Sequence, residues 1–145
     1  MKGFKYSMEQ ILDYRKGIEN KEQQEFMEKR EEYEKQKNIL NDYEKRLDKA
    51  VSSQTAIRAK LTVGELKSRY QYIHHLQKKT EIQKRLVLEA KRAMEAKKQK
   101  LLSAQKDRKI MEKHKEKAFR AFNYEMNKAE QKIIDELALY SYMRK

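Results

Sequence analysis

The sequence predicts an all-α protein, a long antiparallel two-helix coiled-coil hairpin with a longer C-terminal helix. Three observations support this fold class. Proline is absent and the 145 residues include only 3 glycines, so few positions interrupt a helix. Charged residues make up 41% of the chain and hydrophobic residues 38%, which is too little apolar material for a globular core of this size. Seam residues also recur at alternating steps of three and four along two segments, as in coiled coils that bury one narrow seam.

The first segment predicts a helix over about residues 4–58. Its regular part carries a stripe at three-four spacing, which places the members on one face of the helix. The members of this first stripe are Tyr33, Gln36, Leu40, Tyr43, Leu47, Ala50, Gln54, Ile57 and Leu61. Nearer the N-terminus, two successive steps of four at Ile18, Glu22 and Phe26 predict a stutter that unwinds the supercoil locally.

A reversal of the chain is predicted near residues 57–62. Thr62 and Glu65 have the spacing of a capping box, in which each side chain accepts a hydrogen bond from the backbone amide of the other residue. Residues 52–55 favour a helix only weakly, because serine and threonine side chains compete for backbone hydrogen bonds. One continuous, kinked helix is the alternative, since a single capping box without proline is a moderate signal.

The second segment predicts a helix over about residues 63–143, with its own stripe at three-four spacing. The members of this second stripe are Ile73, Leu76, Thr80, Gln83, Val87, Ala90, Met94, Lys97, Leu101, Ala104, Arg108 and Met111, followed by Ala118 and Phe122. With a turn near residue 60, facing residues have numbers that sum to about 120, so we expect about 28 C-terminal residues to have no intramolecular partner.

This register also predicts two ion pairs between the arms. It places Glu22 opposite Lys97, and it places Asp13 opposite Arg108. Polar residues in a seam can fix the alignment of two helices, and we expect these pairs to do so here.

Positive charge is concentrated in the second arm. Residues 1–61 hold 14 basic and 12 acidic side chains, whereas residues 62–145 hold 22 and 11. Three interpretations remain open: a solvated face, attraction to an acidic partner or anionic lipid, and nonspecific affinity for nucleic-acid phosphate. Lysine outnumbers arginine and glutamate is interspersed, which disfavours a helix that reads specific DNA.

No pattern typical of an active site, a cofactor site or a metal site is present. Cysteine is absent, and the adjacent His74 and His75 point in different directions on a helix. Gly64 stands alone, so no glycine-rich loop can bind phosphate. Neither a run of about 18 apolar residues nor the pattern of a signal peptide occurs. We therefore predict a non-enzymatic cytoplasmic protein without cofactor or metal.

Short motifs at both ends of the chain are shared with a known family. Near the N-terminus, an aromatic-x-aromatic motif precedes a hydrophobic pair, an arginine and a glutamate: Phe4-Lys5-Tyr6, Ile11-Leu12, Tyr14-Arg15 and Glu19. Near the C-terminus, an apolar pair precedes an acidic pair, an alanine and an arginine: Ile133-Ile134, Asp135-Glu136, Ala138 and Arg144. With the length, the predicted hairpin and the basic second arm, the chain resembles the FliJ family over its whole length.

This resemblance implies a non-catalytic stalk of flagellar type III protein export, similar in fold to the central stalk of rotary ATPases. The implied partners are the hexameric export ATPase FliI, the cytoplasmic domain of the export gate FlhA, and empty export chaperones. The implied location is the cytoplasm, with at most peripheral association with the membrane at the export apparatus. ATP hydrolysis would belong to FliI.

The resemblance also implies gate-binding residues near the tip of the hairpin. The family pattern is Gln-xxx-Leu-xx-Tyr on the first arm and aromatic-xxx-Leu on the second. With the next residue of the first stripe, the matching positions are Gln36, Leu40, Tyr43, Leu47, Tyr72 and Leu76. Because the first stripe also fits the intramolecular seam, these residues are either core or interface. Tyrosine favours an interface, since it suits a site with one apolar and one wet side.

The C-terminal part of the second arm predicts another interface. Residues 118–145 carry many large apolar side chains, and such a surface needs a partner when no helix opposes it. Helical spacing joins six of them into a stripe that the inner wall of the ATPase ring could enclose: Phe119, Phe122, Met126, Ile133, Leu137 and Tyr140. A dimer formed by two such ends is the alternative.

Two other functions fit the same sequence features. The stalk of a virulence type III secretion ATPase is difficult to separate from a flagellar one by sequence. A general cytoplasmic coiled-coil scaffold, or a homodimeric coiled coil, would bind neither ATPase nor gate.

Overall fold

A computed structural model describes residues 3–57 and 60–144, with side chains for all of these except residues 55–57. The chain forms two helices, α1 over Glu9–Ile57 and α2 over Val63–Met143, and no strand occurs in the described ranges. The helices pack antiparallel, since the contact partners on α2 fall in number as those on α1 rise. α2 has 81 residues and α1 has 49, so the predicted all-α hairpin with a longer C-terminal helix is confirmed.

The start of α2 is fixed by local hydrogen bonds. The amide of Glu65 donates to Thr62 Oγ1 over 3.2 Å, and the amide of Thr62 donates to Glu65 Oε2 over 3.3 Å. The predicted capping box is therefore confirmed, and the alternative of one continuous helix is wrong. Residues 58 and 59 of the predicted turn lie outside the described residues.

Residues 3–8, here called the N-terminal segment, lie outside α1. α1 begins at Glu9, whereas the sequence predicted a start near residue 4. The φ of Gly3 is +83°, in the region that favours glycine, and the amide of Glu9 donates to the carbonyl oxygen of Tyr6 over 3.2 Å. This non-helical segment brings Phe4 against two aromatic rings of α2. Its ring centroid lies 5.3 Å from that of Phe119 and 5.4 Å from that of Phe122.

The chain divides into two compact units. The terminal unit comprises the described residues of Met1–Lys21 and Leu102–Lys145, and the turn unit comprises those of Glu22–Leu101. In the terminal unit, Tyr6, Leu12 and Met111 form a buried cluster against which Phe4 and Ala118 pack. Leu12 is the most deeply buried of these, with 1% of its surface exposed.

In the turn unit, the seam follows the two predicted stripes. Every stripe member whose side chain is described there is buried or half-buried. The buried members are Leu76, Gln54, Thr80 and Gln83. Thr80 Oγ1 donates to the carbonyl oxygen of Leu76 over 2.7 Å. Gln83 Nε2 reaches across the seam and donates to the backbone oxygen of Gln36 over 2.9 Å and to its Oε1 over 2.7 Å.

One of the two predicted ion pairs occurs. Lys97 Nζ lies 3.7 Å from Glu22 Oε2, and it donates to Glu25 Oε2 over 2.5 Å. The hydrogen bond with Glu25 raises the pKa of Lys97 above its ordinary value of 10.5, partial burial opposes this, and the charge of Glu22 adds to the rise.

The predicted pair between Asp13 and Arg108 is wrong. The guanidinium of Arg108 instead binds the carboxylates of Glu19 and Glu112, the latter over 2.7 Å. Asp13 has a short side chain on the exposed face of α1, whereas the longer Glu19 is half-buried beside the seam. Glu112 first and then Glu19 raise the pKa of Arg108 above its ordinary value.

Candidate partner-binding surfaces

Most of the residues predicted to bind the gate lie in the seam of the turn unit. Gln36, Leu40, Tyr43 and Leu47 are half-buried, and only 3% of Leu76 is exposed. The side chain of Gln36 is also engaged within the chain, because its Nε2 donates to Glu32 Oε1 over 2.8 Å and its Oε1 accepts from Gln83. These groups therefore stabilise the hairpin itself.

Tyr72 differs from the other predicted gate residues, since 52% of it is exposed. It lines a cleft of about 670 Å³ between α1 and α2, close to the turn, which we call the tip cleft. α1 contributes Arg46, Lys49, Ala50 and Ser53, and α2 contributes Ser68, Arg69, Tyr72 and Ile73. The tip cleft thus combines three cations, two serine hydroxyl groups and one exposed tyrosine ring.

Tyr43 lines a second groove, of about 740 Å³, formed by residues of α1. Its walls carry both signs of charge, and Arg46 pairs with Asp42 over 3.1 Å. The groove is lined by Met27, Arg30, Glu31, Glu34, Lys35, Asn38, Ile39, Asp42, Tyr43 and Arg46. Because its charges are balanced, this groove lacks the electrostatic preference of the tip cleft.

The six residues predicted to bind the ATPase ring fall into two groups. Phe119 and Phe122 are half-buried against Phe4 and belong to the packed part of the terminal unit. The other four are exposed: Met126, Ile133, Leu137 and Tyr140. The expectation that residues from 118 onward lack an intramolecular partner is therefore wrong for the first of them. It overlooked the N-terminal segment, which turns onto α2 before α1 begins.

Residues 123–144, here called the C-terminal segment, are exposed throughout. Besides the four predicted residues, its exposed large apolar side chains are Tyr124, Ile134, Leu139, Tyr142 and Met143. The C-terminal segment contains 3 basic and 4 acidic side chains, in a chain whose net charge is +13. Such a concentration of exposed apolar side chains is typical of protein interaction surfaces, and the low net charge of the segment sets it apart from the rest of α2.

The middle of α2 is strongly basic, in contrast to the C-terminal segment. Residues 78–120 hold 16 basic and 6 acidic side chains. Four of these basic residues form ion pairs with described carboxylates: Lys84, Lys97, Arg108 and Lys115. Most of this positive charge is therefore open to solvent and available to an acidic partner.

Sequence reasoning singled out Tyr72 but missed the cations around it, Arg46, Lys49 and Arg69. A signal was available, because the antiparallel register that predicts the seam also brings positions 46 and 49 near positions 69 and 72. The two stripes do not include these positions, because they lie beside the seam. The contact of Phe4 with α2 had no comparable signal, since it depends on a non-helical backbone.

Within residues 3–57 and 60–144, no helix is both long and apolar enough to cross a membrane. Across the same ranges, no group of three or more histidine, aspartate or glutamate side chains could hold a metal ion.

Comparison with known protein families gives a match over nearly the whole chain. The chain matches the flagellar FliJ protein family over residues 4–145, and this match includes both the terminal unit and the turn unit. Comparisons with curated proteins and with solved structures give no significant match. Since the match covers nearly the whole sequence, the chain belongs to the flagellar FliJ protein family and is a flagellar protein related to export.

Proposed function

We propose that this chain is a non-catalytic stalk of flagellar protein export, acting in the cytoplasm between the hexameric ATPase FliI and the gate FlhA. Membership of the FliJ family supports the flagellar setting over a virulence secretion system. The observation that carries the stalk assignment is the C-terminal segment, in which a long stretch of α2 keeps its apolar side chains exposed.

The C-terminal segment is the part proposed to enter the ATPase ring. A single helix inside a six-fold ring contacts only some of the subunits at one time. Differential contact of that kind shifts the conformational equilibria of those subunits, and it requires no catalytic group on the inserted helix. Because the segment is apolar and carries little net charge, it fits an apolar inner wall of the ring better than an acidic or phosphate-bearing surface.

The turn unit is proposed to face the gate. Tyr72 supports this proposal because it is an exposed aromatic ring beside the seam, and aromatic rings are enriched at protein interfaces. Handling of empty export chaperones, and peripheral association with the membrane at the export apparatus, are further parts of the proposal that rest on the family.

Truncation after Asn123 tests the ring assignment. The truncated chain keeps Phe119 and Phe122, so its terminal unit should retain the contacts with Phe4 and remain folded by circular dichroism. We expect it to lose stimulation of ATP hydrolysis by purified FliI. Full stimulation by the folded, truncated chain would place the contact with FliI elsewhere and overturn the assignment.

A pair of triple variants tests whether stimulation of FliI depends on the C-terminal segment in particular or on exposed apolar side chains anywhere on α2. Ile133→Gln, Leu137→Gln and Tyr140→Gln together change the C-terminal segment, whereas Ile82→Gln, Leu88→Gln and Ile110→Gln change exposed apolar residues elsewhere on α2. Only the first set should lower the stimulation of FliI. Equal loss in both sets would contradict a specific role for the segment.

Self-association is the second candidate, because the same exposed apolar side chains could pack against a second copy. Sedimentation across a concentration series measures it. A stable dimer of the full chain that becomes a monomer after truncation, and that does not dissociate when FliI is added, would favour a dimerisation surface over a ring contact.

A further inference from the structure

The tip cleft has a one-sided charge that nothing in its own lining balances. Arg46, Lys49 and Arg69 line it, and none of the described lining residues is an aspartate or glutamate. Arg46 has a carboxylate partner on the surface of α1, Asp42, with both side chains 58% exposed. Lys49 and Arg69 form no ion pair with any described residue. Two cations of the cleft are thus available to a ligand.

The form of the tip cleft indicates what kind of ligand fits. Ala50 and Ile73 of the seam add apolar groups to its lining, Ser53 and Ser68 add hydroxyl groups, and Tyr72 adds an exposed aromatic ring. Its volume of about 670 Å³ lies in the range of sites that hold ligands of many atoms. A lone phosphate would leave most of that volume unfilled.

We propose that the tip cleft binds an acidic peptide segment of a partner protein, with carboxylates on Lys49 and Arg69 and an apolar side chain beside Tyr72. Arginine binds carboxylates well because its planar guanidinium donates two parallel hydrogen bonds. A cleft between two helices is concave and accepts a chain, whereas a membrane surface of anionic headgroups requires a flat or convex basic face.

This inference rests on the proposed function only for the identity of the partner, which would be the gate. The chemistry of the cleft can be tested without the gate, so the two proposals can fail separately.

A chain with a net charge of +13 attracts any polyanion, so binding of an acidic peptide does not by itself indicate the tip cleft. The test therefore compares two double variants of equal net charge in the full chain. Lys49→Gln with Arg69→Gln changes the cleft, and Lys91→Gln with Arg92→Gln changes exposed cations elsewhere on α2. The probe is a fluorescently labelled synthetic peptide in which glutamates flank a central leucine, and binding is measured by anisotropy.

We expect the cleft variant to weaken peptide binding about tenfold and the control variant less than about twofold, at a salt concentration that screens long-range attraction. A matched peptide with glutamine in place of glutamate should bind neither protein measurably. Equal weakening by the two variants, or equal binding of the glutamine peptide, would overturn the proposal.

A second pair of variants tests the aromatic edge. Tyr72→Ala removes the ring at the cleft, and Tyr70→Ala removes a ring of similar exposure, 50% against 52%, outside the lining. Both side chains are exposed, so both variants should fold. Weaker binding of the peptide by Tyr72→Ala alone supports the cleft, and identical binding by the two variants contradicts it.

Two further measurements identify the source of the carboxylates. If the cleft variant loses binding to phosphatidylserine vesicles but keeps binding to the peptide, the site recognises headgroups and the peptide proposal is wrong. If the cleft variant no longer binds the peptide but still binds the cytoplasmic domain of FlhA, the tip cleft is a peptide-binding site but the gate is not its partner.

Discussion

The seams of the two units are built from different side chains. In the terminal unit, the buried residues are apolar or aromatic: Tyr6, Leu12, Ala104 and Met111. In the turn unit, Leu76 is buried together with three polar residues, Gln54, Thr80 and Gln83. Aromatic contacts of Phe4 with two rings of α2 strengthen the terminal seam, while a glutamine bridge crosses the turn seam.

This difference indicates that one seam contributes mainly to the stability of the hairpin and the other mainly to the alignment of its two helices. Burial of apolar surface stabilises a seam without specifying which residues face each other. The hydrogen bonds from Gln83 to Gln36 form in only one register, because a shifted seam would leave buried amide groups unsatisfied. We therefore infer that the terminal unit supplies more of the stability and that the turn unit sets the register and opens at lower free energy.

The largest expected effect comes from truncating the apolar cores. Leu12→Ala should lower the free energy of unfolding by about 3 kcal/mol, because it leaves a cavity among apolar neighbours. Leu76→Ala should cost about 2 kcal/mol, since Thr80 and Gln83 allow water to enter the space. Urea unfolding of both variants measures the difference. A larger loss for Leu76→Ala than for Leu12→Ala would contradict the comparison.

The glutamine bridge should affect register and stability separately. Gln83→Ala should lower the free energy of unfolding by about 1.5 kcal/mol, because it leaves Gln36 partly unsatisfied. Gln83→Leu also leaves Gln36 without this donor but restores apolar burial in the seam, so it should cost less than Gln83→Ala, and it should widen the distance distribution between spin labels at the exposed Arg30 and Glu89. An unchanged distribution in Gln83→Leu would show that the bridge does not set the register.

The capping box should contribute a smaller effect that stays in the turn unit. Thr62→Ala removes the acceptor for the amide of Glu65 and should cost about 1 kcal/mol. Hydrogen exchange should accelerate in the first turn of α2 and remain unchanged around Leu12. Ser52→Ala, at an exposed position inside α1, is the control and should not destabilise the chain. Faster exchange around Leu12 as well would mean that the two units do not open separately.

The smallest effect expected is the loss of the Lys97 ion pair at alkaline pH. Because its pKa is raised in the folded chain, Lys97 binds its proton more tightly when folded than when unfolded. Its contribution is therefore fully present below the ordinary pKa of 10.5 and lost as pH rises through the folded value. The quantity to measure is the difference in Tm between wild type and Lys97→Met, because pH effects common to both proteins cancel in it. A difference that does not shrink above that pH would exclude this linkage.

Features that depend on neighbours along one helix could be predicted from the sequence. The stripe that contains Leu76 and Gln83 follows from three-four spacing, and the hydrogen bonds between Thr62 and Glu65 follow from spacing and residue type. Pairs across the seam were predicted less well. Lys97 pairs with Glu22 as predicted, but Arg108 pairs with Glu19 and not with Asp13. A long side chain can reach carboxylates that lie one or two helical turns apart.

The sequence by itself determined the helical class, the two stripes and the start of α2, since each depends on composition or on short spacings, and its match over residues 4–145 showed the family. Only the tertiary structure decided that Phe4 folds onto Phe119 and Phe122, and that the tip cleft gathers Lys49, Arg69 and Tyr72. The physical reason is that these contacts join residues far apart in the chain. They depend on the register of the antiparallel helices and on the φ and ψ angles of a few non-helical residues, and no periodicity encodes either.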